Sequence, residues 1–178
     1  MSGNDLKSKL AAKLAADRTK QDAEDDVSRK YHEDLLREYP RLCQQLLERV
    51  QALVGGVEGV TVHSKIEEQN LTLTHGSTAT GFTETSVGKV RVPTFAISVR
   101  GVSMIGFRPE GTGIVGTHGA IAIESRKVRE KRLLMVSMKE APDAWVLAVL
   151  DTQNPTPSRW WKELTDELLN TMLEQALL

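Results

Sequence analysis

The string with the most chemical promise is Gly111-Thr112-Gly113-Ile114-Val115-Gly116, which has the letters of the G-x-G-x-x-G turn that cradles a dinucleotide pyrophosphate. In that motif the glycines end a strand and open a helix, whose N-terminal N–H groups and positive dipole end meet the phosphates. Here Thr117-His118-Gly119-Ala120-Ile121-Ala122-Ile123 follows, which reads as a turn and a strand. No acidic residue closes a following parallel strand either, so a glycine-rich hairpin or loop is expected, able to touch a partner backbone, and no cofactor.

The four histidines, His32, His63, His75 and His118, show neither H-x-x-x-H nor H-E-x-x-H spacing and have no cysteine companions, so no metal site is expected. By strand alternation His63 goes with Thr61 and Lys65, opposite Val60 and Val62, while His75 shares parity with Leu71 and Leu73. Surface or hydrogen-bonded structural histidines are the expectation. Cys43 lies on a helical pattern beside Leu42 and Leu46, with no visible group to hold it as a thiolate, and reads as a packing or interface residue. Glu67 and Glu68 point to opposite faces of a strand, Asp25 and Asp26 diverge on a helix, and no G-x-S-x-G elbow occurs. No catalytic residue is assigned.

The densest charge is Arg126, Lys127, Arg129, Lys131 and Arg132, five cations in seven residues between two strand patterns. At one hairpin end they would neutralise several phosphates, with Lys89, Arg91, Arg100 and Arg108 on neighbouring strands, or meet an acidic protein partner. The same cluster also suits a solvated loop. Aromatic residues make up 4% of the chain and none is interleaved here to stack on bases. At the other end of the chain Leu6, Leu10 and Leu14 recur at spacing four among Lys7, Lys9, Lys13, Arg18 and Lys20. This is a basic amphipathic arm over residues 1–20, suited to self-association or a partner groove, and it lacks the aromatic anchor that would favour lipid.

Apolar positions then recur at three and four through Val27, Tyr31, Leu35, Tyr39, Leu42, Leu46, Val50 and Leu53, which predicts a helical region over 21–54. Pro40 predicts a kink or break near 38–40 with a second helix from Pro40, and Gly55-Gly56 predicts the stop. After Gly59 the period becomes 2, and short strands follow at Val60/Val62, Leu71/Leu73, 78–84, 87–92, 95–99, 104–107, Ile121/Ile123, 133–138 and 145–150. The connections are too short for parallel crossovers, so an antiparallel meander of about seven strands is expected over 59–151. Leu133 to Val136 and Trp145 to Leu150, apolar on both faces, should be central, and the threonine-rich 71–85 should lie at the rim. Asn154-Pro155-Thr156-Pro157-Ser158 predicts the start of a C-terminal amphipathic helix over 158–177, opened by Trp160-Trp161 and striped by Leu164, Leu168, Met172 and Ala176.

The chain has 178 residues, with 23 Lys plus Arg against 24 Asp plus Glu, so one domain without a global field toward nucleic acid or anionic lipid is expected. One cysteine forms no internal disulfide, the first residues lack the apolar core of a secretory signal, and no apolar run spans a bilayer, so a cytoplasmic location is expected. The expected class is α+β: an arm over 1–20 and a single domain over 21–178. The expected function is non-enzymatic binding of a macromolecule, with a homo-oligomer or protein partner formed through the helices. Alternatives are a nucleic-acid-binding protein using the basic hairpin 126–132, and an enzyme whose site assembles from residues distant in sequence.

Overall fold

The computed structural model describes residues 3–77, 81–111, 119–127, 132–136, 145–149 and 161–178, with side chains over 6–73, 85–111, 119–127 and 164–178. It is α+β: a long N-terminal helix, an antiparallel sheet and a C-terminal helix. The chain divides into two compact units, Met1–Leu35 and Leu36–Leu178. Unit 1 is helical over its described length.

The N-terminal helix, α1, runs from Gly3 to Val54 without a break, with Pro40 inside it. The predicted break at Pro40 is therefore corrected. A mid-helix proline removes one backbone hydrogen bond and crowds the preceding turn, at a cost of about 3 kcal/mol. In unit 2 Tyr39, Leu42, Cys43, Leu46 and Val50 are all buried to 1% exposure or less. Each such side chain contributes roughly 1.5–3 kcal/mol on burial, so the stripe on both sides of Pro40 outweighs the defect and holds the backbone helical.

The body of the sheet is four strands, β1 (Val60–Ser77), β2 (Gly81–Val99), β3 (Val102–Pro109) and β4 (Ala120–Ser125), each antiparallel to the next. Seven strands of equal standing, as the residue pattern predicts, are not seen. Three short segments continue the order: β5 (Arg132–Val136), β6 (Trp145–Val149) and β7 (Trp161–Glu163). The expected split of 60–99 into five short strands is corrected too, because β1 and β2 form one long hairpin whose register shifts only between Leu71 and Thr72. Before Pro93 the buried hydrophobic residues of β2 among those described are Val90 and Val92, and after it Phe95 and Ile97, with Ser98 the buried polar one. The buried parity thus flips within a continuous strand, as the strong twist of a long two-stranded ribbon allows. β1 lies at the sheet edge, as expected for the threonine-rich stretch, although its Leu71 and Leu73 are buried.

The C-terminal helix, α2, spans Asp166–Leu177, shorter than the predicted 158–177. Thr165 is its N-cap, with a side-chain oxygen accepting from the Leu168 N–H at 3.2 Å, and Asp166 and Glu167 complement the dipole in the first turn. Trp161, predicted to open the helix, instead pairs with Ala148 in β7, while Trp160 and the 154–158 turn lie outside the described residues. Leu169, Met172, Leu173 and Ala176 are its buried face. Arg49 of α1 ties the helix start down, bonding the Asp166 carboxylate at 2.6 Å and donating to the Leu164 carbonyl at 2.9 Å. No helix among the described residues is long and apolar enough to cross a membrane.

Tyr39 locks helix to sheet. Its hydroxyl donates to the Ala120 carbonyl at 2.9 Å, and that oxygen also accepts from the Glu110 N–H at 2.8 Å. Its ring lies over Gly119, where an added Cβ would stand 2.3 Å from the ring. Gly119→Ala should therefore lower stability by roughly 2 kcal/mol or more through overpacking, and Tyr39→Phe by about 1 kcal/mol for one buried hydrogen bond. Denaturant titration checks the order, and a Gly119→Ala protein as stable as wild type would refute the close approach. The β2–β3 turn gives a change of opposite sign. Arg100 (φ 49) and Gly101 (φ 78) both sit in the left-handed region, the pairing of a type I′ turn that favours Asn first. Arg100→Asn should gain about 0.5–1 kcal/mol, read as a higher Tm.

Candidate interaction surfaces

Among the described residues, concavities on the sheet face and beside α2 and two charged or apolar patches are open to a ligand. The first concavity is a depression of about 430 Å³ on the open sheet face. Its floor is Ala96 and Gly106, directly opposite each other on β2 and β3, where small residues leave room. Around it stand His63, Lys65, Thr94, Arg108 and Glu124. The charges are matched locally: Lys65 pairs with Glu67 at 2.6 Å, Thr94 donates to the same carboxylate at 2.7 Å, and Arg108 meets Glu124 at 3.1 Å. The Lys65 ammonium, then the Thr94 hydroxyl, hold the Glu67 carboxyl below the usual carboxylate range. It is ionised at neutral pH and has no proton to give as an acid. Glu68, held low by Lys89 on the other face at 2.8 Å, behaves likewise.

The second concavity, about 450 Å³, is in unit 2 where the end of α1, the turn after it, the β2–β3 turn and α2 meet. Its walls are apolar, from Leu53, Val54, Val57 and Val60 on one side and Leu173 and Leu177 on the other. Glu58, Arg100 and Glu174 mark the rim. Leu53 and Val57 remain 37% and 54% exposed. This groove is absent from the expectations: four segments far apart in sequence build it, and its only local trace is Leu53 and Val57 standing on either side of Gly55-Gly56.

The basic cluster is only partly placed. Arg126 and Lys127 are exposed just past β4, with the Arg126 N–H donating to the Met104 carbonyl at 3.4 Å. Arg132 belongs to β5, opposite Ile123 and Val149, rather than to a hairpin tip. Arg129 and Lys131 lie outside the described residues. Of the four flanking cations, Lys89 and Arg108 are engaged by carboxylates, Arg91 is exposed on β2, and Arg100 forms the turn. The three leucines of the arm are placed: Leu6, Leu10 and Leu14 lie on α1 at 65%, 51% and 65% exposure.

Of the glycine string only Gly111 is described. It has φ +64, an added Cβ would stand 2.5 Å from the Asn70 carbonyl oxygen, and its own carbonyl accepts from the Thr72 N–H at 2.8 Å. Gly113, Gly116 and His118 lie outside the described residues. Gly111 thus answers a close backbone approach to β1. No group of three or more His, Cys, Asp or Glu that could hold a metal occurs among the described residues. His63 is exposed on the depression, His32 is half-buried beside the Tyr31 ring at 6.1 Å, and the His75 side chain is outside the described set.

Cys43 is buried, and loss of water pushes its thiol far up, so it is no nucleophile at neutral pH. Burial first, and the neighbouring Cys43 second, raise the Tyr39 phenol well above its usual value. Both folded-state values exceed the unfolded ones of about 8.5 for Cys and 10 for Tyr. The native state therefore keeps protons that the unfolded chain releases, and the stability tied to these groups is complete below about pH 8.5 and lost as pH rises. Denaturant midpoints from pH 7 to 11 should fall first from the Cys43 contribution and then more steeply from Tyr39, with a shallower decline in Cys43→Ala and in Tyr39→Phe. A wild-type midpoint that stays flat across this range would contradict the burial of both groups.

Compared with known proteins, the chain matches no family model, no curated protein and no solved structure.

Proposed function

We propose that this protein is a non-enzymatic, cytoplasmic interaction protein that self-associates through its helices. One observation carries the reading: every helical residue from Leu6 to Lys30 is exposed, with a leucine stripe on its surface. Such a segment draws little support from within unit 1. Its ion pairs, such as Lys20 to Glu24 at 3.8 Å and Asp26 to Arg29 at 2.9 Å, are surface pairs that contribute a few tenths of a kcal/mol each. Most helix stability in proteins comes from packing an apolar face. Burying three leucines would release roughly 1.5–3 kcal/mol each, before the entropic cost of association. The paired charges of the sheet depression and the protonated Cys43 support a binding rather than a chemical role.

Arg126 and Lys127 favour a second reading, contact with nucleic acid, because both are exposed and neither is ion-paired among the described residues. It would show affinity that falls steeply with salt.

Light scattering separates the two. The full chain should show a mass above that of the monomer which drops with dilution, and Leu6→Asp/Leu10→Asp/Leu14→Asp should be monomeric at the same concentrations. A triple variant that keeps the wild-type mass would overturn the self-association reading. A monomer that shifts only with duplex DNA at low salt, and not after Arg126→Glu/Lys127→Glu, would replace it with the second.

A further inference from the structure

We infer that the leucine arm of one copy docks in the apolar groove beside Val57 of a second copy, its flanking lysines meeting the two glutamates of the groove rim. The inference rests on the self-association reading and adds which surface the arm meets.

Charge and spacing on the arm select the groove. At about 100° per residue, Leu6 and Leu14 lie about 40° to either side of Leu10, so the three form one narrow stripe roughly 12 Å long. Lys7 and Lys13 lie about 60° from Leu10, one on each side of that stripe. An occupant of this kind needs an apolar trough with an acidic group on both banks. The groove lining holds two: Glu58 comes from the turn after α1 and Glu174 from α2, two different elements, among the aliphatic side chains of Val57, Leu173 and Leu177. Arg100 is the one cation among the described lining residues. α2 itself carries Asp166, Glu167 and Glu174 and no cation. The sheet depression is the rival surface, but its Lys65 and Arg108 are already paired with carboxylates, so it offers no uncompensated acidic group to the arm's lysines.

The arm's own pattern argues against arm-to-arm pairing. The leucine repeat stops at Leu14, and the next ten residues, Ala15 to Glu24, contain no apolar residue larger than alanine. A coiled coil needs its a and d seam sustained over several heptads. Three leucines in isolation suit the helix-in-groove mode, in which a short apolar face fills a preformed trough. The same contact made twice about a two-fold axis closes a dimer, and this limits growth into chains.

Two variants and their mixture test this in the full chain. Leu10→Asp removes the arm's central contact and leaves the groove. Val57→Asp spoils the groove at an exposed turn residue and leaves the arm, and circular dichroism verifies that each is folded. Each alone should associate about 100-fold more weakly than wild type, measured by analytical ultracentrifugation. Mixed in equal amounts they should form a 1:1 heterodimer, since one intact arm then faces one intact groove. The charges give a separate readout: Lys7→Glu/Lys13→Glu should weaken association about tenfold or more, and adding Glu58→Lys/Glu174→Lys on the same chain should restore it. If Val57→Asp associates as wild type does while Leu10→Asp does not, the arm binds another surface and this inference fails while self-association stands. If the wild type is monomeric throughout, both fail.

Discussion

Tyr39 stands on α1 four residues before Cys43, fully buried, and three parts of unit 2 converge on its ring and hydroxyl. The ring covers Gly119, the hydroxyl bonds the Ala120 carbonyl, and the Gly111 backbone interacts with the same phenol oxygen. The chain on either side of 111–119 is thereby drawn together, since Glu110 N–H and the phenol share one acceptor. Gly111 passes the constraint on to β1 through Thr72. An aromatic ring that large, placed against a backbone position that admits no Cβ, sets the distance between helix and sheet to within a fraction of an ångström. The uninterrupted helix across Pro40 follows from this: releasing the helix there would release Tyr39 and the buried stripe beyond it.

The groove depends on the same anchoring. Its first wall is the last turn of α1, and its second is α2, whose start is fastened to α1 by Arg49 through Asp166 and the Leu164 carbonyl. With Tyr39 holding α1 on β4 and Arg49 holding α2 on α1, Leu53 and Leu177 are brought to one groove from two different helices. Val57 lies just past the glycine stop of α1, in a tight connection back to β1 that bonds Val60 N–H to its own carbonyl at 3.1 Å. It is held in place and still over half exposed, which suits a wall that receives a partner.

The helices and the antiparallel sheet are legible in the sequence, because each rests on a period of 3.6 or 2 that local residues carry. What was not legible has physical causes at particular residues. Pro40 carries a local preference for breaking a helix, and tertiary burial of Tyr39, Leu42 and Leu46 overrides it. Pro93 and the parity flip from Val92 to Phe95 look like a strand boundary when a fixed inner face is assumed, but a twisted ribbon turns a new face inward as it goes. Thr165 is a weaker start signal than the Pro-rich 154–158 upstream, so the residue pattern places the start of the last helix too early. The glycines of 111–116 carry a motif's letters, and only the structure shows that Gly111 serves a close approach to the Asn70 carbonyl and that Gly119, just past the string, lies under the Tyr39 ring. The leucine arm was read from spacing alone, whereas its proposed receptor is built from four distant segments and has no linear signature.

The contrast between the two concavities bears on what kind of recognition this fold supports. In the sheet depression Lys65 and Arg108 each lie within 3.1 Å of a carboxylate, so their field is spent locally and a charged ligand arriving there would have to break an existing pair. Desolvation of those pairs would cost about as much as new contacts returned. In the groove the balance is reversed. The walls are aliphatic and partly wet, and displacing that water is favourable for any apolar face that fits, while the rim carboxylates stay at the edge where they steer without being buried. Affinity would then come from the leucines and orientation from the lysines, a division of roles that the arm's own sequence already contains.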